Sequence, residues 1–375
     1  MDNVLPPPSV HRQRITSIDA LRAFTLLGIL IVHANGGFGL PFDGIQSSLD
    51  AVIAKVNELF LVNKCNTVFA VLFGVSFYLI LRNPKNSSVK FVWRCILLAL
   101  IGLFNKLFYS YDALMWYGLW GVVLVLFRNV KSKYLIISCV ALQLISSYLS
   151  RFNFGDFLFG PDIGQRYGVD KSIIDIITYP NAVEDYIHIV INGGGLSTLV
   201  KFIFGYWIAK IGFIESLEER LTKRFLLTIW TFFLVFFVAD RLLVRYGNGS
   251  LLLRMLTDYS GSAAYASALL YAYYHCGICN KILKFFEPYG RLGLTNYSLG
   301  SIFGVIFINE FGLGLYKYPL ILIVSFFIGF FLLQAVFSYF WLRYFTYGPM
   351  EYVWRVATER KKIPLLRNQE TRLKA

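Results

Sequence analysis

The sequence predicts an all-α fold, a polytopic bundle of about ten transmembrane helices with both termini on the cytoplasmic side. Three observations lead to this prediction. Of the 375 residues, 57% are hydrophobic and 15% are charged, whereas a soluble domain carries about 25% charged residues. The mean hydropathy is +0.58. Long apolar stretches recur along the whole chain, and short basic clusters separate them.

The apolar stretches have the length of membrane spans. A helix needs about 20 apolar residues to cross the hydrocarbon layer. The predicted spans are 20–38, 65–82, 91–108, 111–128, 133–150, 194–213, 224–245, 259–278, 292–310 and 319–343. The segment 44–62 also predicts a helix. It carries Asp50, Lys55 and Glu58, so we expect it to lie at the membrane interface.

Basic residues predict the orientation, because Lys and Arg are enriched in cytoplasmic loops. With the N-terminus inside, 24 of the 36 Lys and Arg residues lie in cytoplasmic stretches and 10 lie outside. Lys201 and Lys210 fall within a predicted span. Both basic ends then share one side, as an even number of spans requires. We therefore predict a transmembrane domain over 1–345, with an outer loop at 151–192, and a cytoplasmic basic tail over 346–375.

The net charge of +14 does not predict nucleic-acid binding. The basic clusters lie between apolar stretches, where lipid headgroups account for them, whereas nucleic-acid recognition needs a continuous basic face. The five cysteines are odd in number and scattered, so no disulfide framework is predicted. Cys276 and Cys279, preceded by His275, resemble part of a metal site, but no second pair completes a tetrahedral set. We therefore predict no bound metal.

The first span carries the polar residues that point to chemistry, since ionisable residues inside a membrane are often functional. A helix turns about 100° per residue, so Asp19, Arg22 and His33 share one stripe, and Arg22 and His33 lie about 16 Å apart along the axis. An imidazole suits general-base work, and a guanidinium at the cytoplasmic face suits phosphates. A structural alternative stays open. Asp19 and Arg22 would pair to anchor the helix, and His33 would hydrogen-bond to a neighbouring helix.

The spacing of Arg22 and His33, Arg-x10-His, resembles the motif of integral-membrane acyltransferases that O-acetylate bacterial surface polysaccharides. The rest of the chain resembles the YeiB-like family of uncharacterised membrane proteins. Both groups are similar to heparan-alpha-glucosaminide N-acetyltransferase, within one transmembrane acyltransferase superfamily. The YeiB-like segments are 17–34, 66–79, 93–124, 289–301 and 347–355. The last two carry the specific signatures Gly-Arg-x-x-Leu-Thr-Asn-Tyr and Gly-Pro-x-Glu-x-x-Trp-Arg.

The resemblance implies an acyltransferase of the bacterial inner membrane, with acyl-CoA, most simply acetyl-CoA, as donor. His33 would be the base and Arg22 would hold the donor phosphates. The partners implied are membrane lipids and a glycan or small-molecule acceptor, with homo-oligomerisation left open. Two positions depart from the YeiB-like pattern. His33 stands where the family usually has Asn, and Asn105 stands where it usually has His.

Other site candidates have both functional and structural interpretations. Asp112, between two spans, is expected either to orient His33 or bind the acceptor, or to cap the following helix. Asn296, an amide inside the ninth span, is expected either to bind a substrate carbonyl or to join helices. Arg291 would either assist Arg22 with phosphates or reach lipid headgroups.

Asn105 and Asp19 complete the predicted substrate-binding set. His188, in the outer loop, is a second candidate base. Glu351 is expected to cap locally or to pair with Arg355 at the i,i+4 spacing. These residues are drawn from different parts of the chain, so the sequence does not place them relative to one another.

Three functions remain open from the sequence. The leading one is acyl transfer from acyl-CoA to a hydroxyl or amine acceptor. The second is a transporter or exporter of a small molecule, although the broken helices typical of transporters are not apparent in the pattern. The third is a non-catalytic partner of an envelope assembly.

Overall fold

The structure, a computed structural model, describes residues 15–36, 47–83, 86–106, 108–109, 112–151, 194–246, 251–308 and 312–367. These residues form fourteen α-helices. The helices are α1 (Thr16–Asn35), α2 (Ser48–Phe60), α3 (Lys64–Leu81), α4 (Ser88–Lys106), α5 (Leu114–Leu124), α6 (Ser132–Arg151), α7 (Gly194–Lys210), α8 (Leu217–Arg220), α9 (Lys223–Arg245), α10 (Leu251–His275), α11 (Gly277–Arg291), α12 (Gly293–Ile308), α13 (Leu320–Tyr344) and α14 (Pro349–Glu359). The predicted all-α fold is confirmed for this part of the chain.

Each predicted span overlaps one of these helices. Within the described ranges, six stretches are long and apolar enough to cross a membrane, and the bent pair α11 and α12 would make a seventh. One of these six stretches runs through both α2 and α3. The α5 helix is apolar but short. An all-α bundle of a membrane protein is therefore supported, while ten crossings and cytoplasmic termini stay predictions.

The α1 helix lies at the centre of the bundle. It packs against α3, α11, α12 and α13. Ala23, Leu26 and Leu30 are buried in the main hydrophobic cluster. The closest approach is to α11, where a Cβ on Gly290 would lie 1.8 Å from the carbonyl oxygen of Asp19. Only glycine permits such a contact, so this residue sets how closely the two backbones meet.

Glycines also join α3 to α7. A Cβ on Gly74 would lie 2.0 Å from the carbonyl oxygen of Phe202, and one on Gly205 would lie 2.0 Å from that of Val71. Small residues that allow close backbone packing are typical of membrane helix pairs, because lipid tails provide no hydrophobic drive for association.

The largest departure from the predicted topology is at 280–291, which lies between the predicted spans 259–278 and 292–310 and is a cytoplasmic loop in that topology. The structure places it in α11, which bends by 77° into α12. Leu283 and Tyr289 are buried, whereas Lys281 and Lys284 are exposed. The basic residues thus occupy one face of an amphipathic helix. Counting Lys and Arg cannot distinguish such a helix from a loop.

The predicted tail 346–375 contains a packed helix. Trp354 on α14 donates its indole N–H to the carbonyl of Arg94 at 2.9 Å, and Trp93 on α4 donates to the carbonyl of Ala357 at 3.1 Å. A bridge joins Phe345 to Leu366. The first part of the tail therefore folds back against the bundle, and 368–375 lies outside the described residues.

Candidate functional site

A cavity of about 1110 Å³ opens at the end of the bundle where α1 begins. We call it the arginine cavity, because five arginines line it. They are Arg22, Arg82, Arg94, Arg291 and Arg355. They come from α1, the end of α3, α4, α11 and α14. Farther in, the wall is apolar and aromatic, with Phe69, Phe73, Leu98, Tyr117 and Tyr297 among its residues.

Arg22 and Asp19 lie together in this wall, as the stripe on α1 predicts. Arg22 Nη1 donates to Asp19 Oδ1 at 3.0 Å, and its Nη2 donates to the hydroxyl of Ser76 on α3. Asp19 is buried and Arg22 is partly exposed to the cavity. The ion pair therefore holds the guanidinium at the cavity surface, so the anchoring and ligand-binding interpretations are compatible.

Two other arginines line the cavity and have no carboxylate partner in the part of the chain that the structure describes. Arg94 lies over the ring of Trp354 at 4.7 Å, and Arg355 lies over the ring of Tyr347 at 4.6 Å. No carboxylate in the described ranges lies within ion-pair distance of either guanidinium. Arg355 Nη1 donates to the Tyr347 hydroxyl at 3.2 Å, and stacking on an aromatic face leaves the other N–H groups of an arginine available to an anion.

Arg82 and Arg291 complete the set. Arg82 forms an ion pair with Glu215. Arg291 Nη2 donates to the carbonyl oxygen of Thr346 at 3.2 Å. The cavity wall therefore contains five arginines but only three carboxylates among the described residues, which are Asp19, Glu215 and Glu351. The excess of positive charge favours an anionic ligand.

Of the two expected roles of Glu351, the structure shows capping, and the pairing with Arg355 is wrong. The Glu351 carboxylate accepts hydrogen bonds from the backbone N–H groups of Leu294 at 2.8 Å and Thr295 at 3.0 Å, and from the Thr295 hydroxyl. It therefore caps the N-terminus of α12, whose first N–H groups lack helical partners. Burial raises the pKa of Glu351, and these hydrogen bonds oppose the rise.

His33 does not line the arginine cavity. It lies beside a separate void of about 10 Å³, with Asn296, Tyr297 and Ser301 among the lining residues. Its ring is 4.8 Å from that of Tyr109. In the described part of the chain, Arg22 and His33 therefore do not share one continuous tunnel. Tyr297 lines both spaces and lies in the wall between them.

Asp112 and Asn105 meet in a buried polar network. Asn105 Nδ2 donates to Asp112 Oδ2 at 3.3 Å and to the hydroxyl of Ser298 at 3.1 Å. The other Asp112 oxygen accepts from the backbone N–H of Leu114 at 2.7 Å. Asp112 thus caps α5, which is the structural interpretation. The backbone N–H of Ala113 donates to the Tyr297 hydroxyl at 3.3 Å, which ties this network to the wall of both spaces.

Asn296 has the contacts expected of a residue that joins helices. Its Nδ2 donates to the carbonyl of Tyr289 at 3.0 Å and to the hydroxyl of Ser338 on α13 at 3.0 Å. Its Oδ1 is buried and has no hydrogen-bond partner among the described residues. Because Asn296 also lines the void beside His33, both interpretations of this amide remain open.

Sequence reasoning missed Tyr297, Arg94 and Arg355 as site residues. Tyr297 belongs to the Gly-Arg-x-x-Leu-Thr-Asn-Tyr signature, and Arg355 to the closing one, so the signatures contained the signal.

The outer loop 151–192 and His188 lie outside the described residues, apart from Arg151. No group of three or more His, Cys, Asp or Glu residues in the described ranges could hold a metal. A disulfide, which we did not predict, joins Cys276 to Cys279.

The fold and cavity define the protein as a helical membrane protein with an arginine-lined pocket at one end of its bundle. Residues 208–361 match a family described as "Protein of unknown function (DUF418)". The chain is 26% identical to the uncharacterized protein YeiB of Escherichia coli (strain K12) over 399 residues, covering 94% of this chain and 98% of YeiB. The predicted YeiB-like resemblance is thus confirmed. The wider acyltransferase superfamily stays a prediction.

Two further relatives agree. The uncharacterized protein YxaH of Bacillus subtilis (strain 168) is 27% identical over 392 residues, covering 94% of this chain and 96% of YxaH. An uncharacterized 39.9 kDa protein in the amylase 3′ region of Bacillus acidopullulyticus is 27% identical over 374 residues, covering 97% of this chain and 99% of that protein. No solved structure matches the chain.

Proposed function

We propose that the protein is an acyltransferase of the bacterial inner membrane. It takes an acyl group, most simply acetyl, from acyl-CoA and passes it to a hydroxyl or amine of a glycan or other acceptor. The observation that carries this proposal is the arginine cavity, which combines an excess of guanidinium groups with an apolar, aromatic interior. An acyl-CoA has matching parts, since it carries phosphates at one end and a thioester on a long arm at the other.

The donor phosphates bind at the mouth of the cavity. Arg22 is held by Asp19 and Ser76, and Arg94 is stacked on Trp354, so these guanidinium groups are preorganised. Charge-assisted hydrogen bonds to phosphate are about twice as strong as neutral ones. The volume of about 1110 Å³ slightly exceeds the usual range of ligand pockets, about 300–1,000 Å³. It is thus large enough for an extended cofactor rather than a small ion.

His33 acts as the general base on the acceptor. Its neutral imidazole takes the proton from the acceptor hydroxyl or amine, and the acceptor oxygen or nitrogen attacks the thioester carbonyl. The carbon–sulfur bond breaks, and the sulfur of CoA takes up a proton. Because Arg22 and His33 lie about 16 Å apart along α1, the arm of the donor spans this distance. Tyr297 must move aside for the thioester to reach His33.

The test uses purified protein with acetyl-CoA and candidate glycans. Release of the free CoA thiol and the mass of the acetylated acceptor are both measured. We expect Arg22→Ala and His33→Ala to abolish transfer. His275→Ala and Arg343→Ala are matched controls, since neither side chain lines the arginine cavity or the void beside His33, and both variants should keep transfer. Unchanged transfer in the first two variants would refute the mechanism.

A transporter of a small anion is the second candidate, and one observation favours it. The 77° break between α11 and α12 lies beside the arginine cavity, which Arg291, Leu292 and Gly293 line. Broken helices at a binding site are typical of secondary transporters. Uptake of an organic phosphate into proteoliposomes without any CoA, lost in Arg22→Ala, would favour this function over acyl transfer.

A further inference from the structure

A second group of ionisable residues lies away from the arginine cavity. It consists of Lys64 on α3 and Asp258 on α10, which form an ion pair, and Lys201 on α7, on which the charge of Asp258 acts. Lys64 begins α3, whose opposite end reaches the arginine cavity. The group therefore lies toward the other end of the bundle. None of its members lines the arginine cavity or the void beside His33.

Asp258 is fully engaged by the residues at the start of α3. The Nζ of Lys64 lies 2.6 Å from Asp258 Oδ1, and Asn63 Nδ2 donates to Asp258 Oδ2 at 3.0 Å. The side chain of Lys64 is 6% exposed. Both carboxylate oxygens thus have a partner, and the charge of Asp258 is balanced by that of Lys64.

Lys201 is the remaining charge. Its ammonium makes no hydrogen bond or ion pair with the described residues. Its Nζ lies 6.0 Å from the ring centroid of Tyr259, whose hydroxyl donates to Gln143 on α6. Lys201 is half-buried. An intramembrane lysine normally pairs with a carboxylate or a carbonyl, because an isolated ammonium in a low-dielectric interior is costly.

Contact with lipid headgroups explains Lys201 poorly. The residue lies seven positions after the start of α7, so its Cα is about 10 Å inside that end of the helix. Lys210, on the same helix, has the kind of carbonyl partner that is usual for such a lysine. It lies at the end of α7 and donates to the carbonyl oxygen of Val130 at 2.8 Å. Lys201 has the same charge, and no such acceptor lies near it in the described ranges.

We propose that Lys201, together with Lys64 and Asp258, forms a binding site for a carboxylate group. Two ammonium groups and one carboxylate leave a net charge of +1, which a single carboxylate neutralises. A phosphate monoester, close to −2 at neutral pH, would leave a net negative charge in a poorly solvated site. The occupant is a carboxylate-bearing small molecule or sugar, such as a uronic acid, which enters from the end opposite the arginine cavity. This inference does not rest on acyl transfer.

The test measures binding to the purified full-length protein by titration calorimetry, with glucuronate as the probe. Glycerol phosphate and glucose are the comparison ligands. We expect glucuronate to bind more tightly than either. Lys201→Gln should weaken glucuronate binding at least about tenfold, which corresponds to 1.4 kcal/mol. Lys210→Gln, the matched control on the same helix, should leave it unchanged.

A second variant tests the charge argument. Asp258→Asn raises the net charge of the group to +2 and should shift the preference from glucuronate to glycerol phosphate. Equal glucuronate binding by the wild type and Lys201→Gln would overturn the proposal, as would no preference of the wild type for glucuronate over glucose. If Asp258→Asn fails to fold, the Lys201 and Lys210 variants still decide the question.

Discussion

Glu351 and Thr295 cap each other's helices. The carboxylate of Glu351, on α14, accepts hydrogen bonds from the backbone N–H and the hydroxyl of Thr295, at the start of α12. In return, the Thr295 hydroxyl oxygen accepts from the backbone N–H of Met350 at 3.0 Å. The same exchange within one helix is a capping box. Here it joins two helices that both line the arginine cavity.

This contact predicts a pH dependence of stability. Burial raises the pKa of Glu351 above its unfolded value of 4.5, so the folded state favours the protonated carboxyl. The contribution of Glu351 to the free energy of unfolding is fully present below pH 4.5 and is lost as the pH rises through the folded pKa. Glu351→Gln resembles the protonated form. We therefore expect its melting temperature, relative to wild type, to increase from pH 4.5 upward, as measured in detergent.

The control is Glu359→Gln, on the same helix. Lys90 hydrogen-bonds to Glu359 and holds its pKa below the usual range, so its contribution is lost on acidification instead. The pair is partly exposed, and we expect a cost below about 1 kcal/mol. If the difference in melting temperature between Glu351→Gln and wild type does not change with pH from 4.5 upward, the prediction for Glu351 is contradicted.

Substitution of Gly290 should loosen the contact between α1 and α11. An added Cβ meets the Asp19 carbonyl oxygen at 1.8 Å, so the helices must separate. We expect Gly290→Ala to destabilise the protein by about 1–3 kcal/mol, the range of overpacked sites. Thermal unfolding measures it. Gly277→Ala, on the same helix, has no atom within 4 Å of the new Cβ and should be nearly neutral. Equal destabilisation by Gly290→Ala and Gly277→Ala would argue against the close approach of α1 and α11 at Gly290.

Removal of Arg22 should weaken donor binding. A hydrogen bond to a charged group contributes about 1.5–3 kcal/mol, so we expect Arg22→Gln to raise the Kd for acetyl-CoA about 10- to 100-fold. Titration with acetyl-CoA and with its 3′-dephospho form provides the measurement. If the arginines hold the phosphates, the dephospho form binds wild type more weakly. Binding of both donors that is insensitive to Arg22→Gln would exclude this cavity as the donor site.

Tyr297 should act as the barrier between the arginine cavity and the void beside His33. We expect a cysteine at Ser301, in a cysteine-free background, to react slowly with a membrane-impermeant thiol reagent. Tyr297→Ala should speed that reaction at least about tenfold by joining the two spaces. Tyr297→Phe keeps the ring but loses the hydroxyl that accepts from Ala113, so its rate should lie between the two.

Ile80 lines the arginine cavity and not the void beside His33, so Ile80→Cys is the accessibility control. Its cysteine should react equally fast whether position 297 keeps its tyrosine or carries alanine or phenylalanine. A rate at Ser301→Cys that does not depend on position 297 would show that another group separates the two spaces.

The sequence by itself determined the long apolar helices, because hydropathy over about 20 residues is a local property; it did not predict the amphipathic helices α11 and α14. It also placed Asp19 and Arg22 as neighbours, since residues three apart on one helix share a face. The tertiary structure decided everything that depends on which faces meet. The arginines of the cavity lie on five different segments, and no spacing along the chain relates Arg94 to Arg355. Likewise, the structure paired Glu351 with Thr295 rather than with Arg355, and placed Tyr297 between Arg22 and His33. Long-range packing sets these contacts, and the local pattern of one helix does not contain that information.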